Sequence, residues 1–459
     1  MSKQPKTHTL ATRLAGREDF PGLMRTLRKE CTRRGIDYDL PGGRRVPINY
    51  MPTPMLLDAA QVRHLHRFSS AINAMIRRMP DLYRAHAAVR EALPFMPDEK
   101  EWVLGCYRPG GRQPLVTRID FDAPSARPGN SAPPVAFEAN GVSIGGLYYS
   151  GAGPQMISDV VLDPRTRSGL CRPFDICAGL AREFRRQALH LGLGPNPRIG
   201  ILDNRDWTEG ITEMPRLAEA LAAAGLPTRI GDPRELAASR GRYTLGGEPV
   251  DLFYRNMEVR DFADVEAGGA RLDGLRDAFR RDRVLSAIAG DFDHKSLWEV
   301  LASGNTRRFV PAAWRSAFRK HLLWTRFLRE TRTDGPKGES VDLIPYIRKN
   351  RDDLVIKPNR SCGGDRVTLG RKVEARRWDR LIDKAVADPE GWVVQRFHES
   401  GRQVFPFLDR GRPALQEAFV CYGVFAIGRD VSVLGRACVR PVVNVAAGGG
   451  LVAVFQTAG

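Results

Sequence analysis

Cysteine spacing that would hold a metal or a disulfide framework is missing from this chain. Its seven cysteines, at positions 31, 106, 171, 177, 362, 421 and 438, are odd in number and scattered. No C-x-x-C occurs, and no histidine pair sits at zinc-ligand spacing, which excludes the common structural zinc modules. A reduced, cytoplasmic protein without structural zinc is the expectation. Long hydrophobic runs are also missing: no stretch of roughly 18 apolar residues is present, so no membrane span is expected. The N-terminus has no apolar signal core, and its arginines are interspersed with Glu18, Asp19 and Glu30, which weighs against a transit peptide. Aromatic residues are sparse, at 8%, and are not interleaved with basic residues as a nucleic-acid stacking platform requires. Neither G-x-x-x-x-G-K-[ST] nor G-x-G-x-x-G is found, which removes the Walker loop and the dinucleotide fingerprint.

What is there is a long, basic chain. Its 459 residues exceed one ordinary core, so two or three domains are expected. Apolar content of 42% and a mean hydropathy of −0.33 fit a globular protein. A net charge of +18 and a pI near 10.0 admit nucleic-acid binding, an anionic substrate such as a nucleotide, or arginine-rich coding bias. The basic residues are spread rather than blocked, so nucleic acid is disfavoured.

Residues 1 to about 100 read as mostly helical, with His64 and His66 as surface residues. From Trp102 the texture changes to strands. Period-2 geometry puts Arg118, Asp120 and Asp122 on one face of a first strand and Glu138 and Asn140 on one face of a second. A carboxylate from one and Glu-x-Asn from the other make an all-oxygen set suited to Mg²⁺; a solvent-facing polar pair is the plainer alternative. Residues 170 to 260 alternate strand and helix, which implies a parallel, Rossmann-like sheet. Asp203 and Arg255 fall at strand ends there, where open α/β sheets bind ligands, and are weak substrate-pocket candidates. Pro233 to Ala238 reads as a short helix. Asp293 is a candidate N-cap of the next helix, with Lys295 in its first turn, where the dipole disfavours a cation unless a ligand meets it.

The stretch Asp353–Gly370 is the most informative. Leu354-Val355-Ile356 is a short apolar strand running into Lys357-Pro358, followed by a glycine-containing turn and a second short strand. Gly363 and Gly364 lack a Cβ, so their N–H groups can close on an anion, and Lys357 places a point charge beside them. An ordinary glycine hairpin with a surface lysine is the competing reading. Further on, Trp392–Gln395 is a short buried strand, and Leu415–Ile427 with Val431–Val439 form an antiparallel pair about Gly428-Arg429-Asp430.

In combination these motifs resemble the ATP-grasp superfamily of ligases. Ile356-Lys357-Pro358 with Ser361, Cys362, Gly363 and Gly364 is similar to the phosphate-covering hairpin, and Val393-Val394-Gln395 to the hinge strand that meets adenine. Arg440, Asn444 and the triple glycine 448–450 resemble the stretch lining the transfer site. The carboxylate strand and E-x-N motif that ordinarily follow appear instead near the front, as Arg118-Ile119-Asp120-Phe121 and Glu138-Ala139-Asn140. That order is similar to the circularly permuted members, such as glutathionylspermidine synthetase, without its amidase domain.

The resemblance implies an α/β (α+β) permuted ATP-grasp fold. It would comprise a helical region at 1–100, metal-binding strands at 101–160, an inserted Rossmann-like unit at 161–270 and nucleotide-binding subdomains at 271–459. It implies ADP-forming carboxylate–amine (or thiol) ligation through an acyl phosphate, with ATP and Mg²⁺. Asp120, Glu138 and Asn140 would hold the metal, and Lys295, Lys357 and the 361–364 amides the phosphates. Arg440, Arg118 and Asn444 would serve the transferred group, and Glu399 would stand in near the ribose, where Arg396 replaces the usual acid. Small-molecule or peptide carboxylates and amines are the implied partners, with no membrane and with a homodimer left open. The alternative is a catalytically degenerate module or a basic nucleic-acid-binding protein.

Overall fold

The computed structural model describes residues 6–123, 134–171, 175–361, 364, 366–443, 445 and 448–458. Cys362, Gly363 and Asn444, three of the residues expected at the site, lie outside that set.

The apolar strands near both ends of the chain have one way to bury both faces, which is to join. They form a seven-stranded mixed sheet in the order Tyr50–Leu57, Gly450–Gln456, Asp430–Cys438, Arg412–Ile427, Thr117–Asp122, Ala136–Asn140, with Arg402–Asp409 also paired to Arg412–Ile427. Gly428 stands at positive φ in the turn joining Arg412–Ile427 to Asp430–Cys438, which form the expected hairpin. Thr117–Asp122 pairs antiparallel with Arg412–Ile427, about three hundred residues away, through Asp120↔Gly423 and Asp122↔Cys421.

The N-terminal region departs from the helical expectation. Helices span Lys6–Ala15, Phe20–Arg33 and Ala59–Ala85, but Asp37–Leu40, Arg44–Pro47 and Tyr50–Leu57 are strands. Pro52 and Pro54 argue against a central strand, because neither can donate to a ladder. Tyr50–Leu57 is accordingly the edge of the main sheet, pairing parallel with Gly450–Gln456 on one side.

The Ala59–Ala85 helix starts at a capping box, Asp58 accepting from Gln61 N while Gln61 accepts from Asp58 N, both at 2.8 Å. Its buried stripe runs through Val62, Leu65, Phe68, Ile72, Met75, Ile76 and Met79 and covers one face of the sheet. Asn73, buried in that stripe, donates to Leu115 O at 3.2 Å and Ala426 O at 3.4 Å, tying helix to sheet. His64 is half-buried, stacked on Phe68 and tilted against His321, and so is no plain surface residue. Phe20, Leu23, Met156, Phe184 and neighbours from the Phe20–Arg33, Tyr149–Val160 and Ile176–His190 helices belong to a second core, shared with Phe425 and Phe455 of the sheet.

Two four-stranded sheets are the larger of the remaining ones. One is all parallel, in the order Val284–Leu285, Leu252–Arg255, Ile199–Leu202, Thr228–Gly231. The segment expected as a helix after Thr228–Gly231 is one 3₁₀ turn, Pro233–Glu235, followed by the strand Leu236–Ser239, which pairs with Arg242–Leu245. The other sheet orders Thr325–Phe327, Trp392–Arg396, Leu354–Pro358 and Thr368–Leu369. It carries its own core of Ile347, Leu354, Ile356, Trp378, Ile382, Trp392 and Val394. No helix of the described residues is long and apolar enough to cross a membrane.

Candidate active site: a charged cleft between the main sheet and the small sheet

Strand register builds the first wall. Asp120 faces Glu138 and Arg118 faces Asn140 across the antiparallel pair. On the other side Asp120 faces Gly423, where a Cβ would stand 2.9 Å from Arg118 Cδ and 3.4 Å from Asp120 Oδ1. That glycine opens the sheet surface to the two charged side chains. Arg118 Nε holds Asp120 Oδ1 at 2.9 Å, and Arg436 Nη2 holds Oδ2 at 2.8 Å. Burial disfavours the ionised Asp120, yet the two guanidinium groups more than offset it and keep the carboxyl below its ordinary range. Burial alone would lower Arg436; the facing Asp120 raises it instead.

The small sheet supplies the second wall. Lys357 is nine-tenths buried, and its Nζ lies 3.7 Å from Glu138 Oε2. Lys295 Nζ lies 3.8 Å from the same oxygen and donates to Ser361 O. Burial brings Lys357 down to about 8, the neighbouring Lys295 acting in the same sense and Glu138 opposing both. One carboxylate from residue 138 therefore bridges two lysines from positions 295 and 357. All of these side chains line a single cavity of about 200 Å³.

At the other end the cavity is apolar. Phe137, Leu323, Val355, Val367, Leu369 and Phe397 line it, a surface suited to a flat base. Gln395 is fixed by donating to Phe137 O at 3.0 Å and Thr325 Oγ1 at 2.8 Å. His398 Nε2 meets Asp122 Oδ2 at 2.8 Å, and Asp122 Oδ1 accepts from Gly401 N at 2.8 Å. Gly364, at φ +71°, lets the turn after Lys357 pass close to Val442, on which a Cβ would sit at 2.8 Å.

Of the residues expected from sequence, Arg118, Asp120, Glu138, Asn140, Lys295, Lys357, Ser361, Gly364 and Gln395 line this cavity. Several others do not. Arg440 is exposed beyond the end of its strand, and the arginine that this strand brings to the cavity is Arg436, four residues earlier. Glu399 is exposed and paired to Arg402 at 2.8 Å, outside the lining. Val393 and Val394 are wholly buried in the middle strand of the small sheet, so their backbone groups are spent on the strands either side. The chain reaches the cavity after them, at Gln395–His398.

Arg255 is fully buried, donating to Ser286 O, Ala287 O and Asp291, which rules it out as a substrate contact. Asp203 accepts from Asn256 at 3.1 Å, also away from the cavity. Asp293 is no N-cap; it accepts from Gly141 N at 2.7 Å, fastening the turn after Asn140. The helix starts later, at Leu297, which leaves Lys295 ahead of it.

Sequence reasoning missed Arg436 and His398. Arg436 had a signal: it is the one charge inside the apolar run Val431–Cys438, and a buried arginine needs a buried partner. For His398 no local signal exists.

The donor set suits a hard cation. Asp120 and Glu138 are carboxylates, and Asn140 donates its Nδ2 to Arg118 O at 3.2 Å, leaving its amide oxygen to accept. Two carboxylates and an amide oxygen fit Mg²⁺ that keeps waters and phosphate oxygens in its remaining positions. Among the described residues no group of three or more His, Cys, Asp or Glu could hold a metal ion by itself.

No family model matches the chain. A Frankia casuarinae protein with the provisional name glutamate–cysteine ligase 2-2 is 24% identical over 346 residues, 71% of this chain. The chain spans only 37% of that relative's length. Among solved structures, a gamma-glutamylcysteine synthetase, so named provisionally, from Methylobacillus flagellatus covers 85% of both chains at 12% identity, with a TM-score of 0.37, too loose to bear on the fold. A glutathione synthetase-like effector from Globodera pallida, in its apo form, covers 99% of this chain and 98% of its own at 12% identity, with a TM-score of 0.63. At that identity the likeness speaks to architecture: the chain has a glutathione synthetase-like, mixed α/β fold.

Proposed function

We propose that the chain is an ATP-dependent, ADP-forming ligase of the circularly permuted ATP-grasp type, joining a carboxylate to an amine or thiol through an acyl phosphate. The observation that carries this reading is Glu138 standing between Lys295 and Lys357 in one cavity, 3.8 and 3.7 Å from their ammonium groups. The fold likeness to a glutathione synthetase-like protein supports it, as does the ligase name of the curated relative.

In the first step a carboxylate oxygen attacks the γ-phosphorus of ATP, the bond to the bridging oxygen breaks, and ADP leaves. In the second the amine nitrogen attacks the acyl carbon, phosphate departs with the C–O electrons, and the nitrogen gives up a proton. Most of the protein's contribution is positioning and charge neutralisation. Lys295 and Lys357, with Glu138 as shared counter-ion, exchange that partner for phosphate oxygens when nucleotide enters. Mg²⁺ held by Asp120, Glu138 and Asn140 would neutralise charge on the β- and γ-phosphates. Arg436 and Arg118, already fixed by Asp120, point charge at the transferred group. The apolar end by Val355, Leu369 and Phe397 takes the base.

ADP release on mixing with Mg-ATP and pooled amino acids or peptides tests this, with mass spectrometry of the products. Glu138→Ala and Lys357→Ala should each slow it by about 10²-fold or more; release at the wild-type rate in both sinks the mechanism. A second reading, a module that binds without turnover, draws on the exposed Arg396 at the hinge. It predicts binding with no ADP formed, and nucleic acid as ligand would add a steep salt dependence without any need for Mg-ATP.

A further inference from the structure

Behind the hinge lies a second cavity, of about 410 Å³, that the ligation chemistry leaves unused. Its walls come from the end of the Ala312–His321 helix, the turn between Arg332–Asp334 and Ser340–Asp342, and hinge residues 396–398. Leu323, Arg396, Phe397 and His398 line both cavities, so the two spaces share one partition.

Charge sets this cavity apart. Arg319, Lys320, Lys337 and Arg396 all line it, all are exposed, and none has an ion-pair partner among the described residues. Its one carboxylate, Asp334, is taken by Arg326 at 2.7 Å. His398 is likewise taken by Asp122. A single unpaired surface lysine is ordinary; four cations around one concavity are not, because like charges within the ~8–10 Å screening length repel. The floor beneath them, Leu322, Leu323 and Trp324, is apolar.

We propose that this cavity is a separate binding site for a small organic phosphate carrying at least two negative charges, its body on the Leu323–Trp324 floor and its oxyanion among the four cations. A monocarboxylate would leave most of that charge unmatched, whereas Arg and Lys together suit a multiply charged phosphate. Three of the four cations, Arg319, Lys320 and Lys337, line this cavity and not the other, so the site does not depend on which bond is made next door.

Inorganic pyrophosphate is the probe, titrated by calorimetry into the full chain and two variants. Arg319→Glu/Lys320→Glu/Lys337→Glu alters only exposed side chains, and an unchanged melting curve checks its fold. Lys357→Met removes a charge from the other cavity. The wild type should show two classes of site. The triple variant should weaken one by at least about tenfold and keep the other, and Lys357→Met should do the reverse. Lys337→Glu alone, at a turn tip, should weaken the same class by a few-fold.

A single class that Lys357→Met abolishes and the triple variant leaves intact overturns the proposal, as does no binding in any of the proteins. So does a short single-stranded oligonucleotide that displaces pyrophosphate with a salt slope steeper than about −3, because the face would then be a nucleic-acid surface. Failure of the ligase reading shows elsewhere, as ADP release untouched by Lys357→Met, and leaves these outcomes readable.

Discussion

The two walls of the cleft solve the burial of charge in different ways. On the main sheet, Asp120 is locked between Arg118 and Arg436, three charges, from two strands, that pair with one another. On the small sheet, Lys357 has no such permanent arrangement; its ammonium relies on Glu138 across the gap, at 3.7 Å, and burial lowers its proton affinity. The first wall is fixed in position when the protein folds. The second is completed by whatever enters the cleft. A fixed wall orients, and an incompletely neutralised wall recruits.

That contrast can be broken most forcefully through the cores. Phe121→Ala in the main sheet and Trp378→Ala in the small sheet should each cost about 3–5 kcal/mol, since both side chains are almost wholly buried. If the small sheet has the independent core its packing indicates, Trp378→Ala should raise amide exchange there first and spare the main sheet. Uniform loss of protection would erase the distinction.

Arg436→Ala comes next. It leaves Asp120 buried with one partner and should lower stability by roughly 3 kcal/mol or more, read by denaturant melts. Lys357→Ala should behave oppositely, sparing stability while slowing ADP release by about 10²–10³-fold, the scale of losing one preorganised charge.

Smaller is the pH effect of Glu213. This fully buried carboxyl accepts from Gly146 N at 2.7 Å and Tyr148 N at 2.9 Å, fixing the turn whose Gly145 O holds Arg118, and burial pushes it up to about 7. The folded protein then binds the proton more tightly than the unfolded chain. Its contribution to stability is fully present below about 4.5 and is lost as pH rises through about 7. The stability gap between wild type and Glu213→Gln should therefore narrow from pH 5 to pH 8; a gap that widens contradicts this. The smallest effect belongs to Arg440→Ala, which should change stability by no more than ~0.5 kcal/mol because its side chain is exposed outside the cavity.

How much was legible follows the same division. The small sheet is local: Leu354–Pro358 and Trp392–Arg396 announce themselves as short apolar strands, and Lys357 stands out beside the glycine turn. The main sheet is not. Asp120, Glu138 and Asn140 could be singled out by alternation, but nothing in their neighbourhood says that Gly423 and Arg436 complete the wall. The edge strand Tyr50–Leu57 was hidden by its two prolines, which only an edge tolerates. The strand enters the cavity only from Gln395, because Val393 and Val394, in mid-sheet, have no backbone groups to spare. Arg255 read as a ligand contact because a strand end is the usual place for one, whereas its actual partner, Asp291, lies on a distant turn.

The most direct test of the shared cleft is a double-mutant cycle on the binding of a non-hydrolysable ATP analogue with Mg²⁺, using Glu138→Gln and Lys357→Met. Two residues that meet the same polyphosphate should be coupled by at least about 1 kcal/mol. Effects that add to within ~0.5 kcal/mol would place them in separate sites and contradict the account.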